Sequence, residues 1–285
     1  MAIDHDSLYK ELITNFFKEF MEGFFPEVSE YIDYSCLDFL EQETYDVKTE
    51  EKRRIDILAK TKVYGEEGYV LVHVEPQSQK QGDFNERMFR YYCNLYLKHR
   101  LRILPVAVLA HDIKKDEPDN FNIKFPFFDV LDFNFMQLHL KKLDWKEYLR
   151  KENPVVAALM SKMDYTEEEK KQVKKEFLRM MLKLEIDEAR MEILTTFMDA
   201  YINLRPEEEE EIKEELSEEL PPEEVSKLEK LVTSWEKRGR EEGREEGEKN
   251  AMKKIAKQMI QKGYGIDEIN EITGLSKEEI EDLES

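Results

Sequence analysis

Asp56, Glu75 and Gln77 are the residues whose types and spacing carry most chemistry in this 285-residue chain. They fall in a stretch, Arg53 to Arg90, that reads RRIDILAKTKV, YGEEG, YVLVHVEPQSQ and then the helix-like NERMFRYYCNLYLKHR. Residues 55 to 63 are rich in β-branched and apolar side chains. Tyr64, Gly65 and Gly68 punctuate the run before a second one from Tyr69 to Val74. That order predicts a strand, a tight turn and a strand. Side chains alternate along a strand, so Val70, Val72 and Val74 should share one face and Leu71, His73, Glu75 and Gln77 the other. Asp56 interrupts an otherwise burial-ready run of Ile55, Ile57 and Leu58, and an isolated buried carboxylate is costly without a partner. A divalent ion held between Asp56 and Glu75 would satisfy both. A strand-end cap or salt bridge would satisfy them equally well, and the bare D…ExQ pattern also arises by chance.

The elements that must position these groups follow from periodicity. Leu8, Leu12, Ile13, Phe16, Phe17, Phe20 and Phe24 recur at helical spacing, predicting one amphipathic helix that ends near Gly23 or Pro26 and is capped by Asp6 or Ser7. Glu11 lies beside that stripe, placed either to reach a site beneath the helix or to stay solvated. Residues 27 to 47 predict a short helix or turn and a strand near Leu37 to Tyr45, on which Glu41 and Glu43 are either accessory carboxylates or sheet-edge residues. Phe84, Met88, Phe89, Tyr92, Leu95 and Tyr96 mark a helix over 83–100, their stripe read as core. The continuous apolar run LPVAVLA, 104–110, suits a strand covered on both faces. Strand, helix and strand in that order imply a crossover, hence an α/β fold with a mixed central sheet flanked by helices. His111 and Asp112, at that strand's carboxyl end, read as loop residues. The segment 121–150 is expected to add an edge strand and a closing helix.

Composition bounds the function. Formal charge is −21, and 26 acidic against 13 basic residues from Pro206 onward account for most of the excess. Bulk coating of nucleic acid is thereby disfavoured, because phosphate binding needs local Lys and Arg. Any phosphate-binding function would need a local basic surface, for which Arg54, Lys60, Arg87 and Arg90 are candidates within a wider basic set around the central hairpin. No apolar run is long enough to span a membrane and the opening residues do not resemble a signal peptide, so a soluble, cytoplasmic protein is expected. Cys36 and Cys93 lack CxxC spacing and read as buried thiols in a reducing compartment.

Beyond residue 150 the pattern becomes helical. Two or three amphipathic helices are expected over 153–204, with Pro154 in a first turn and Thr166 in a capping box with Glu169. Residues 206–222 (PEEEEEIKEELSEELPP) read as an acidic linker or solvated helix. Gly239, Gly243 and Gly247 recur every four residues without an apolar seam, which favours a mobile or weakly oligomerising helix over a firm coiled coil. The last forty residues predict helix, turn, helix, turn, helix, like a small helix-turn-helix module. Its acidic final helix favours protein contact or capping over entry into a DNA groove.

Together HDSLYKELITNFFKEF, FLEQETY, RRIDILAKTK, YVLVHVEPQSQ, RMFRYYCNLYLKHR, LPVAVLA, NPVVAALMSKM and LVTSWEKRGREEGREEG resemble the recombination-promoting nuclease (Rpn) family, also called YhgA-like transposases and common in bacteria. The D-x(18)-E-x-Q spacing followed by RMFRY is the most specific part. The resemblance implies a PD-(D/E)XK, restriction-endonuclease-like core, expected over 1–150, beside the pattern-based reading of a helical subdomain over 151–205, the linker 206–222 and a helical tail over 223–285. It also implies metal-dependent cleavage of DNA, associated with recombination or mobile elements. Asp56 then matches the metal-binding aspartate, Glu75 the second acid and Glu11 the first-helix glutamate. Gln77 stands where many members of the wider superfamily have lysine, and the expected cofactor is Mg²⁺ or Mn²⁺. Gln77 and the acidic balance motivate the alternative: a nuclease-fold protein with weak or lost catalysis, acting as a binding, regulatory or oligomeric scaffold module through its tail.

Overall fold

A computed structural model describes residues 5–40, 43–45, 52–54, 57–75, 84–114, 116–277, 280 and 283. The chain divides into two compact units, residues 1–220 and 221–285.

The first unit opens with α1 (His5–Asn15) and α2 (Phe17–Phe24), where one helix was expected. Phe16, at φ −131° and ψ 36°, separates them. Consecutive Phe16 and Phe17 sit about 100° apart around a straight helix, and the break lets both be buried. The short α3 (Pro26–Ser29) leads into β1 (Ile32–Leu40), followed by the small pair β2 (Glu43–Tyr45) and β3 (Lys52–Arg54).

β4 (Ile57–Val63) and β5 (Glu66–Glu75) form the expected hairpin, with Val63 opposite Glu66. Tyr64 and Gly65 make the two-residue turn, both at positive φ (56° and 76°), the backbone that a right-twisted hairpin demands. Tyr64 tolerates that conformation with its ring stacked on Tyr31 at 4.0 Å. The crossover helix α4 (Phe84–His99) then returns the chain to β6 (Arg102–Leu109), parallel to β5 as the strand–helix–strand order predicts.

β7 (Asn120–Phe125) and β8 (Phe128–Asn134) form a separate hairpin, and β9 (Met136–His139) adds to β6 in parallel. The central sheet is therefore mixed, in the order β1-β4-β5-β6-β9. The anticipated edge strand is β9, while the expected closing helix reduces to two short 3-10 turns at Leu140–Lys142 and Trp145–Tyr148. One face of the sheet packs Leu58, Tyr69, Leu71 and Ile103 against Tyr91 and Leu95 of α4. Val70, Val72, Val74, Val106 and Val108 are buried as well, which accounts for strands apolar on both faces.

Four helices complete the unit: α5 (Pro154–Leu159), α6 (Lys170–Lys183), α7 (Glu188–Tyr201) and α8 (Pro206–Glu219). The segment read as an acidic linker or a solvated helix is mostly a helix, and one that buries Ile212 and Leu216. Its carboxylates meet a basic face of α6. Lys171 bridges Glu211 and Glu215 at 2.8 and 2.7 Å, and Lys175 bridges Glu215 and Glu219 at 2.7 and 2.8 Å. Hydrogen bonds from Lys171 and Lys175 hold the Glu215 carboxyl down at about 2, so this ladder survives mild acid.

Asn153 ties the helices to the amino terminus. Its side chain accepts from Val155 and Val156 N–H at the start of α5 and donates to the Glu19 carbonyl in α2 at 2.7 Å. Asn153→Ala should therefore cost about 1–2 kcal/mol, measured by urea denaturation; a loss below a few tenths would remove the cap from the account.

Among the described residues the second unit contains α9 (Pro222–Gln261), which runs through the glycine repeat without a break, α10 (Ile266–Thr273), and a further helical turn in which the Ile280 N–H donates to the Ser276 carbonyl at 3.0 Å. Ala256, Met259, Ile269, Leu275 and Ile280 form its small core. Gly263 and Gly274, at φ 82° and 70°, make the two turns.

Candidate functional site

β5, β6 and β9 run parallel, so their carboxyl ends align: Glu75 lies beside Leu109, and Leu109 beside His139. β4 runs the other way and begins at Ile57, opposite Val72. The end of the sheet where β5 finishes is thus also where β4 starts. Sites are common at this edge of α/β sheets.

The sequence-derived residues are distributed as follows. Asp56, Gln77 and Glu41 lie outside the described residues. Glu75 is the last residue of β5, and Arg54 the last of β3. Glu11 is exposed on α1. Lys60 and Arg90 are partly exposed, whereas Arg87 is buried at 6 % exposure with its guanidinium 5.4 Å from the Phe84 ring centre. Arg87 is therefore a packed cation, where a surface phosphate contact was expected; its helical position turns it toward the aromatic core. Among the described residues no group of three His, Cys, Asp or Glu side chains converges to hold a metal ion. Cys36 is exposed and Cys93 half-buried, where both were expected to be buried.

Two features at this same end go beyond the loop-residue reading of His111 and Asp112. His111, two residues past the end of β6, and His139, at the end of β9, are both buried, their rings crossing edge-on at 5.0 Å. His139 Nε2 lies 2.8 Å from the Ile113 carbonyl oxygen and donates to it, which leaves Nδ1 as a lone pair with no partner among the described residues. Burial, and then the neighbouring His111 and Lys142, hold the His139 imidazole below its ordinary 6.5, although the bond to Ile113 opposes the shift. The folded chain resists a proton that the unfolded chain accepts, so stability falls as pH drops below 6.5 and levels off once the folded imidazole is itself protonated. Chemical denaturation at pH 7 and pH 5.5 should show this loss reduced in His139→Gln; an identical loss in the variant would assign it elsewhere.

The second feature is a pocket of about 520 Å³. Ala110 and Asp112 line it from the end of β6, and His5 and Tyr9 from α1. Ser161, Lys162, Tyr165 and Glu167 contribute from the segment joining α5 to α6, while Tyr201 closes it from α7. Lys141 and Lys170 complete the charged lining. Tyr201 hydroxyl meets His5 Nδ1 at 2.8 Å, and the Tyr165 hydroxyl donates to the Ser161 carbonyl at 2.8 Å. Burial pushes the Tyr165 phenol up to about 12 and the Tyr9 phenol well above 10, so both are neutral donors near pH 7. Asp112 was the only one of these side chains that strand-end reasoning had touched. The others converge from four separate stretches of chain.

Residues 249–285 match the model of the C-terminal HTH domain of the Rpn/YhgA-like nuclease family. This is the small-core part of the second unit. No curated protein matches the chain, and no solved structure does either. Among the described residues no helix is long and apolar enough to cross a membrane.

Proposed function

We propose that the chain is a member of the Rpn/YhgA-like nuclease family and a metal-dependent DNA endonuclease, cutting phosphodiester bonds in recombination or mobile-element processes. The observation that carries this reading is the match of residues 249–285 to that family's C-terminal HTH domain. The mixed sheet is consistent with a PD-(D/E)XK, restriction-endonuclease-like core over 1–150, because Glu75 ends β5 at the edge where β4 begins. On this reading Asp56 and Glu75, with Glu11, hold Mg²⁺ or Mn²⁺. Such an all-oxygen donor set fits a hard cation. Bound there, the ion would lower the pKa of a water and neutralise charge developing on the phosphate. Gln77, neutral at every pH, orients water or phosphate by hydrogen bonds and serves neither as a cation nor as a general base. Arg54, Lys60 and Arg90 supply phosphate contacts; Arg87 contributes only if its packing against Phe84 opens. The HTH module adds a second DNA contact. The protein works in the bacterial cytoplasm, and its tail provides any self-association.

The test is supercoiled plasmid DNA incubated with the full chain in Mg²⁺, in Mn²⁺ and in chelator. Nicked or linear product that requires the metal is expected. Undamaged plasmid in every metal, with DNA still retained in gel shifts, would replace the nuclease by a binding module.

A further inference from the structure

We propose that the pocket between α1, α7 and the carboxyl end of β6 binds a phosphomonoester carried on a small aromatic body, as in a nucleoside monophosphate or a phosphorylated strand end. The inference does not draw on Asp56, Glu75 or Gln77, so loss of cleavage and loss of this binding are separate results.

Charge comes first. Three ammonium groups, Lys141, Lys162 and Lys170, face two carboxylates, Asp112 and Glu167, in the described lining. Lys170 is paired with Glu167 at 3.0 Å. Lys141 donates to the Met163 carbonyl at 3.2 Å and lies over the Tyr165 ring at 4.9 Å, but has no carboxylate partner among the described residues. An ammonium carries three donors, so two of Lys141's remain for a ligand.

Lys162 provides the second anchor. Its side chain is only 14 % exposed, while its partner Asp112 is 78 % exposed and 3.3 Å away. A carboxylate so wet gains little from the pair. The nearly buried ammonium, held 4.8 Å above the Tyr201 ring, gains more from a doubly charged oxygen cluster than from Asp112. An incoming anion therefore displaces Asp112 into water at small cost.

The donor types choose between anions. No arginine fork lines the described pocket, so planar two-point recognition of a carboxylate is missing, whereas lysines act as point charges suited to phosphate. The Tyr9 hydroxyl, 1 % exposed, stands near Tyr201 without completing a well-formed hydrogen bond among the described residues. A buried donor left in that state is stabilised by any acceptor that reaches it. The volume, about 520 Å³, far exceeds what a bare phosphate fills and lies in the range of small-ligand sites. Tyr165 and Tyr201 line the remaining space with rings that suit a base.

Calorimetric titration of the full chain with deoxyadenosine monophosphate, deoxyadenosine and inorganic phosphate tests the proposal. The monophosphate should bind at least about tenfold more tightly than the nucleoside or phosphate alone. Lys141→Gln and Lys162→Gln should each weaken it about tenfold, with melting curves confirming that the variants fold. Asp112→Asn should tighten it by releasing Lys162, and Lys124→Gln on the exposed β7–β8 hairpin should leave it unchanged. A 5′-phosphorylated oligonucleotide that displaces the nucleotide, where its unphosphorylated twin does not, would identify a strand end as the source; no displacement by either would identify the free nucleotide. The proposal is overturned if the wild type binds no monophosphate at millimolar concentration, if deoxyadenosine binds equally, or if the folded Lys141 and Lys162 variants bind as the wild type does.

Discussion

Glu75→Gln and Asp56→Asn should each reduce Mg²⁺-dependent plasmid cleavage by more than about a hundredfold while leaving the melting temperature within a few degrees of wild type. Replacing groups that only orient metal ligands costs about 10–100-fold in affinity or activity, and replacing a ligand itself should cost more. Both changes preserve shape and hydrogen-bonding capacity but delete the negative charge, which separates loss of a cation site from loss of packing. Glu75 pairs by its backbone with Leu109, so the strand itself does not require the carboxylate. Raising Mn²⁺ should restore part of the activity if the defect is affinity. Full activity in either variant would remove that residue from the site. Unchanged Mn²⁺ binding in the double variant would place the ion elsewhere.

Leu71→Ala should destabilise the first unit by about 3–4 kcal/mol. Leu71 is fully buried in β5 among Leu58, Tyr69, Tyr91, Leu95 and Ile103, where α4 crosses the sheet. Removing three methylene-sized groups there loses transfer free energy and leaves a void, since the strand on one side and the helix on the other prevent collapse. For a unit of this size a melting temperature lower by roughly 6–16 °C is expected. Leu71→Met, which conserves volume, should cost less than about 1.5 kcal/mol. A loss under 1 kcal/mol in Leu71→Ala would mean that α4 does not pack on β5 as described. Because β5 ends at Glu75, this variant should also impair cleavage, and the Met variant should recover it.

The same two strands show what the sequence could determine by itself. Alternation and the turn residues Tyr64, Gly65 and Gly68 predict a hairpin because side-chain period and turn backbone are local properties, and β4 and β5 pair as one, although β5 begins at Glu66 where the second run was read from Tyr69. The strand–helix–strand order of β5, α4 and β6 carries its own topology, since a crossover in that order yields parallel strands. Pro154 and the Thr166–Glu169 capping box are likewise local, and both occur where expected.

Contacts between distant segments were not legible in this way. The break at Phe16 depends on what lies beneath α1 and α2. The acidic run 206–219 is helical because Ile212 and Leu216 find a core and because its glutamates meet Lys171, Lys175 and Arg179 some forty residues away. Arg87 was read as a surface cation, and it is buried, with its guanidinium beside the Phe84 ring of the same helix.

The candidate site divides along the same line. Asp56, Glu75 and Gln77 were proposed from their spacing along the sequence, and of the three only Glu75, the last residue of β5, lies among the described residues. The His111–His139 pair and the lysine-lined pocket have no spacing signal, because their members come from α1, β6, β9 and the α5–α7 region and meet only when the chain folds. One-dimensional order thus specified the elements and the residues that neighbour one another along them, while burial and long-range charge pairing, which depend on which surfaces meet, were settled by the tertiary structure.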